Sequence, residues 1–381
     1  MSHGEIGREA LETWREKLDF YLEQEAQTSD PEKRFDLQKK IKEARQRIAE
    51  LTPKVNDDGV RWSGLCAQVR KGRFIPILGS GMTRDICGTS TDIARALTEK
   101  HGLPISEHRR DDLPQILQYM AVNEGLDVRE ELGEQWRQQI EKNFGKQLTE
   151  SDRETFVKLM TAAGDLSRED ENEPHRVLAE LPAPIYITAN YDNFLDRALK
   201  AQERKPRRRF SLWRASPPVP PEIAFEPSPA YPLVFHVFGF MGDEDSLVLT
   251  EDNYLDYLIA TASNPLVPGE VRSALVDSSL IFLGFHLMHG SFRVLLRLIL
   301  NLQGRERLKD YPHVAVQVDD RSGFDSKESA KSYIQRYFNH VAAIDVFWGS
   351  PHDFLEKLRQ RLEDLPGEVP RATVTSNEEW D

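Results

Sequence analysis

Three short stretches of this 381-residue chain pair an apolar run with residues able to do chemistry. Phe74, Ile75, Ile77 and Leu78 read as a buried strand that stops at Gly79-Ser80-Gly81-Met82-Thr83. An amphipathic helical pattern (Ile93, Ala94, Leu97) follows. Strand, small-residue loop and helix open a nucleotide-binding α/β fold, where glycine admits a pyrophosphate that loop amides and the helix N-terminus stabilise. The third glycine of the dinucleotide fingerprint is absent, and Gly-X-Gly after a strand also serves as an ordinary turn. A second run, Ile185-Tyr186-Ile187-Thr188, ends in Ala189-Asn190-Tyr191-Asp192. The Asn190 amide can both donate and accept. A third, Pro232 to Gly239, carries His236, whose imidazole can exchange a proton near neutrality. Plainer readings stand beside these: Asn190 and Asp192 as caps of the next helix, His236 as a satisfied core histidine.

Positioning these stretches in one cleft requires a parallel sheet. Past residue 279 the pattern alternates: strand 280–283, helix 292–302, strand 314–318, helix 330–338, strand 343–347, helix 351–362 with Ser350 as N-cap. Repeated β-α units imply a parallel sheet covered on both faces. Candidate helices at 92–101, 112–122, 128–143, 151–163 and 174–181 lie between the glycine loop and the asparagine corner. Residues 217–232 hold seven prolines and predict a stiff extended loop, either a lid or a passive crossover. Ahead of all this, Leu11, Trp14, Leu18 and Tyr21, then Leu37, Ile41, Ala44, Ile48 and Leu51, recur at helical spacing. Ser29-Asp30-Pro31-Glu32 is a helix-start signal between them, so residues 1–52 are expected to form a helical hairpin for assembly or docking. The turn-forming stretch 52–59 is the expected linker, 60–363 the main domain and 364–381 a flexible acidic tail.

The order Gly-Ser-Gly, Thr-Ala-Asn-Tyr-Asp, strand-borne His, then Ser246 to Tyr254 and Ile281-Phe282-Leu283-Gly284-Phe285 leading into Phe292-Arg293, resembles the sirtuin-like NAD-consuming family. The likeness is to bacterial anti-phage NAD hydrolases, over roughly residues 60 to 363. It implies an α/β fold with a Rossmann-like parallel sheet and a helical insertion over the cleft. It implies NAD as substrate, with the nicotinamide–ribose bond cleaved to nicotinamide and ADP-ribose. Positioning and stabilisation of a developing ribose cation would be the protein's main task. By the resemblance Asn190, His236 and Asp192 are catalytic; Gly79, Ser80, Gly81, Thr83, Thr188, Gly284 and Phe285 bind the nucleotide. Asp111 to Gln115, Gln118 and Tyr119 fall where members line the pocket. Two departures stand out. Phe238 occupies the usual place of the catalytic His, directly before Gly239, and Ser80 replaces the usual Ala. Residues two apart on a strand share a face, so His236 is expected to reach the cleft from one pleat back.

Composition narrows the classes. A net charge of −13 opposes direct nucleic-acid or anionic-membrane binding. Arg204 to Arg209 is expected as a solvated loop or strand edge rather than a phosphate patch. No apolar run approaches the roughly 20 residues of a bilayer span, and the charged N-terminus lacks a signal-peptide core, so a cytoplasmic protein is expected. Two cysteines cannot build a four-cysteine zinc site, which argues against the deacylating branch of the family. His286 and His289 lack a third ligand nearby, and no metal is expected. The reading is a regulated NAD hydrolase of anti-phage defence, homo-oligomeric, with a sensor or ATPase protein as partner. A non-catalytic module sensing NAD or ADP-ribose is the alternative, and Phe238 is its support.

Overall fold

The computed structural model describes residues 59–365, apart from 216, 217, 219, 220, 264, 265, 304–309 and 318–325, together with scattered positions between 13 and 44. The expected linker at 52–58 and most of the acidic tail (366–381) lie outside the described residues. The chain divides into two units, Met1–Asp57 and Asp58–Asp381.

Within the first unit the described positions from 13 to 25 and from 36 to 44 are helical. Gln38 Nε2 donates to Glu25 Oε1 at 2.9 Å, and the Lys40 ammonium lies 5.8 Å from the Tyr21 ring centroid. Moving from 21 to 25 on one stretch meets 40 and then 38 on the other, so the two run antiparallel.

Among its described residues the second unit is built on seven strands, β1 (Phe74–Leu78), β2 (Ile185–Thr188), β3 (Arg207–Phe210), β4 (Leu233–His236), β5 (Ser279–Leu283), β6 (His313–Gln317) and β7 (Ile344–Trp348). They form one sheet in the order β3-β4-β2-β1-β5-β6-β7, and every pair is parallel. Strands β1, β2, β4, β5 and β6 are buried along their whole length, because helices cover both faces. The principal helices, in chain order, are α1 (Trp62–Arg70), α2 (Ser90–His101), α3 (Leu113–Tyr119), α4 (Val128–Phe144), α5 (Phe156–Ser167) and α6 (Pro174–Glu180). Then come α7 (Phe194–Ala201), α8 (Glu251–Ser263), α9 (Gly269–Val276), α10 (Gly290–Gln303), α11 (Lys327–Ala342) and α12 (Pro351–Glu363).

Alternate side chains of each strand feed opposite cores. Ile75, Ile77, Ile187, Phe235 and Phe282 pack with α9, α10 and α11, whereas Phe74, Leu78, Tyr186, Val234 and Ile281 pack with α1, α6, α7 and α12. A third core, including Ile93, Leu97, Ile116, Leu132, Trp136, Ile140 and Leu159, joins α2 to α5 into a helical layer. That layer is inserted between β1 and β2. Ser350 caps α12 in a reciprocal box with Asp353, as its spacing implies.

One local feature differs from the sequence reading. Arg207 to Phe210 is an edge strand, but Arg204 just before it is buried, only 2% exposed. Its guanidinium donates to the carbonyls of Ala179, Leu181, Ala183 and Pro229 and to the Tyr186 hydroxyl. Arg204 therefore serves as an internal clamp on the turn after α6. Five acceptors offset the cost of burying its charge.

Candidate active site

From β1 the chain moves to β2 on one side and later resumes with β5 on the other. The carboxyl ends of β1, β2 and β5 thus flank the point where strand order reverses, which is where open parallel sheets hold ligands. The loops leaving these strands carry most of the residues singled out by sequence.

The loop after β1 meets the loop after β5 backbone to backbone. Gly79 N donates to Leu283 O and Gly81 N to Gly284 O, each at 2.8 Å. A Cβ on Gly81 would sit 2.7 Å from Gly284 Cα, and one on Gly79 would sit 2.7 Å from both Gly284 O and the Phe285 ring. Gly284 itself has φ +75° and would place a Cβ 2.6 Å from Met82 N. The three glycines are thus required by one another. Two of the loop amides are committed to β5, and Met82 N donates to Gly79 O. Thr83 Oγ1 is likewise internal, donating to Ser80 O and Gly88 O, while Ser80 and Ser90 share a 2.8 Å hydroxyl contact.

The second corner is tied to the first. Asn190 Nδ2 donates to Gly79 O at 3.1 Å, and Asn190 N donates to Thr188 Oγ1 at 3.0 Å. Asp192 Oδ1 accepts from Phe194 N, so it caps α7 as the plainer reading has it. Burial raises the Asp192 carboxyl above the usual range, against the opposing pull of His175 and His236. Beside it lies a buried pair, His175 Nδ1 to Glu173 Oε1 at 2.6 Å. Burial opposes that charge separation, yet each partner's charge prevails: Glu173 is held low and His175 high.

One cavity, with about 80 Å³ of clear space, lies where these corners meet. Of the sequence-derived residues Gly79, Ser80, Thr83, Asn190, Asp192, Gly284 and Phe285 line it; Gly81, Thr188 and His236 do not. Thr188 holds the Asn190 corner from behind. The space is well below the roughly 300–1,000 Å³ of usual small-molecule pockets, so a dinucleotide needs the lining groups to part.

His236 lies off the cavity wall. β4 ends at His236, Val237 and Phe238 turn away from the sheet, and Gly239 follows at φ +93°. The shared-face rule needs extended backbone, and here the strand stops too early for it. His236 is 1% exposed. Its Nδ1 donates to Asn190 O at 3.0 Å, and its Nε2 lies 3.9 Å from Asp196 Oδ2. Arg208 stands 3.3 Å from the other Asp196 oxygen. Despite burial, His236 and Arg208 hold the Asp196 carboxyl below the usual range. The imidazole thus braces the asparagine corner from beneath. Phe238, not His236, reaches the cavity wall, packed edge-on against Tyr254 with ring centroids 4.6 Å apart.

Sequence reasoning missed several lining groups: Cys87, Ser90, Trp136, Tyr254, His286, His289 and Ser291. Tyr254 and the two histidines lie in or beside motifs already noted. Trp136, from the middle of α4, carries no local signal. Among the described residues no group of three or more His, Cys, Asp or Glu is placed to hold a metal, and no described helix is long and apolar enough to cross a membrane.

Residues 184–342, from the start of β2 to the end of α11, match the family described as SIR2-like domain. Over that stretch the chain is similar to sirtuin-like proteins. Its relatives include the NAD(+) hydrolase ThsA of Enterococcus faecium, 23% identical over 207 residues, which cover 50% of this chain and 40% of that protein. Defense-associated sirtuin 2 of Bacillus subtilis is 25% identical over 207 residues, covering 54% of this chain and 19% of that protein. The chain thus spans less than half the length of either relative. The matched stretch contains the Asn190 corner, the His236 strand and the β5 loop; the glycine loop at 79–83 precedes it.

Proposed function

We propose that the sirtuin-like domain hydrolyses NAD at the nicotinamide–ribose bond, giving nicotinamide and ADP-ribose, as a regulated effector of anti-phage defence. The observation that carries this reading is Asn190. Its amide nitrogen is anchored to Gly79 O, so the side chain is held in one orientation on the wall of a cavity at the sheet's switch point. Fixed dipoles of this kind stabilise charge that develops during bond cleavage without reorganising. The names of the two relatives, one an NAD(+) hydrolase and the other a defence sirtuin, support the same substrate and setting.

In this reading the C1′–N bond of NAD breaks with its electron pair leaving on nicotinamide. Water adds to C1′, and its proton passes to solvent. Asn190 orients the ribose or the water, and Trp136, Phe238 and Tyr254 exclude bulk water. Asp192 caps α7, while His236 and Thr188 hold the corner in place. The narrow cavity fits an enzyme kept quiet until assembly or a sensor or ATPase partner parts its walls. The N-terminal hairpin would serve that assembly as a homo-oligomer in the cytoplasm.

Incubating the purified protein with NAD and measuring nicotinamide tests the proposal, with Asn190→Ala as control. Turnover by the native chain and its loss in the variant are expected. No turnover in any assembly state, or full turnover by the variant, would overturn it. A second reading, a non-catalytic NAD or ADP-ribose sensor, is favoured by Phe238 on the cavity wall and by the absence of His236 from it. Calorimetry showing tight binding of NAD that stays intact would select it.

A further inference from the structure

A dinucleotide carries its negative charge on a diphosphate, and something in the cavity must answer that charge. The glycine loop is poorly placed to do so alone. The amides of Gly79, Gly81 and Met82 already donate to Leu283 O, Gly284 O and Gly79 O. Side chains must therefore supply part of the anion's contacts. Among the described residues lining the cavity there is neither Lys nor Arg, and the side chains able to carry positive charge there are His286 and His289.

These two histidines form a built pair. β5 ends at Leu283, Gly284 turns at positive φ, and the corner closes with His289 N donating to His286 O at 3.0 Å before α10 begins at Gly290. Leu287 is buried between them, with its amide donating to Gln317 Oε1 at 2.9 Å, so the corner is fixed to β6. The rings stack with centroids 4.5 Å apart and planes 12° from parallel, and both line the cavity. Two imidazoles side by side on one wall supply ring N–H donors of the kind that answer anionic oxygens. An acidic neighbour, Asp112, lies where a Cβ on Gly290 would come within 3.9 Å of its Oδ2, and its carboxyl is raised by burial and by Glu251. Asp112 does not line the cavity, and Asp192 is the carboxylate on its wall among the described residues. A net charge of −13 makes a local cationic element more necessary for an anionic ligand.

We propose that His286 and His289 together form an anion-binding element of the cavity, sharing the diphosphate of a dinucleotide with the glycine loop. This rests on the reading of the domain as an NAD-binding unit and assigns which residues hold the ligand's charged middle.

The test is calorimetry on the full chain with ADP-ribose, which has the diphosphate, and with nicotinamide riboside, which lacks it. His286→Gln/His289→Gln should weaken ADP-ribose binding on the order of ten- to hundredfold, the loss of one or two charge-assisted hydrogen bonds. Nicotinamide riboside binding should be unchanged. His289→Lys, which places a cation at that position, should retain most of the ADP-ribose affinity. Both rings are only partly buried, so the melting temperature of each variant should stay near that of the native chain. Unchanged ADP-ribose affinity in the double variant overturns the assignment while leaving the NAD reading standing. Equal loss of both ligands also overturns it, since that marks a collapsed pocket. Failure of the native chain to bind ADP-ribose overturns the NAD reading and the assignment with it.

Discussion

Replacing His236 separates a base from a brace. The ring is almost wholly buried, donates to Asn190 O at 3.0 Å, faces Asp196 Oδ2 at 3.9 Å and packs edge-on against Phe240 with centroids 5.4 Å apart. His236→Ala removes one hydrogen bond, worth about 1 kcal/mol, and the packing of a buried ring, worth about 2 kcal/mol or more. It also leaves the buried Asp196 carboxylate with Arg208 as its remaining cation. A total near 3 kcal/mol corresponds to a fall in melting temperature of roughly 4–5 °C for a unit of this size. His236→Asn keeps an N–H donor near the Nδ1 position and should recover much of the stability and most of the turnover. The assay is thermal melting alongside nicotinamide release at a temperature where all three proteins are folded. If His236→Ala melts within about 1 °C of the native chain, and both variants lose turnover equally, the imidazole acts on substrate and the bracing argument is wrong.

Gly81→Ala should be among the most damaging small changes, because its Cβ would meet Gly284 Cα at 2.7 Å and the backbone on both sides would have to shift. An overpacking cost of about 1–3 kcal/mol is expected, read as a lower urea midpoint with an unchanged m-value. The Glu173–His175 pair should give pH-dependent stability. His175 titrates above its ordinary 6.5 when folded, so its contribution is complete below about that pH and is lost as pH rises through the raised value. Glu173 is held low, so its contribution is present above its ordinary 4.5 and is lost as pH falls through the depressed value. His175→Gln should therefore lower the melting temperature at pH 6 and flatten its decline towards pH 9; an unaltered decline would refute this. Trp136→Ala, which enlarges the cavity from its helical wall, should speed NAD association while lowering stability by about 3–5 kcal/mol. Stopped-flow binding and chemical denaturation would check the two effects.

The sheet was legible because its central strands are buried on both faces and so read as apolar runs, as in Phe74–Leu78 and Ser279–Leu283. The glycine loop, the Asn190 corner and the Gly284 turn were legible as positions, since each follows such a run. Their purposes were less so. Gly81 is glycine because Gly284 approaches from some 200 residues away, and no local pattern reports that partner. β3 was hidden by its charge: Arg207-Arg208-Arg209-Phe210 sits at the sheet edge and lacks the apolar signature. The His236 placement depended on where β4 ends, and a one-residue difference in strand length moves a side chain from one wall to another. The cavity's dependence on Trp136 and Tyr254 came from tertiary packing between α4, α8 and the loops, which helical periodicity does not specify.

The central claim is that Asn190 does the chemistry on NAD from an anchored position. Single-turnover release of nicotinamide by the native chain, Asn190→Ala and Asn190→Asp, with NAD affinity measured in parallel, tests it most directly. The account predicts a rate loss on the order of a hundredfold or more in both variants with NAD affinity little changed. Native-like release by Asn190→Ala, at equal NAD affinity, would contradict it.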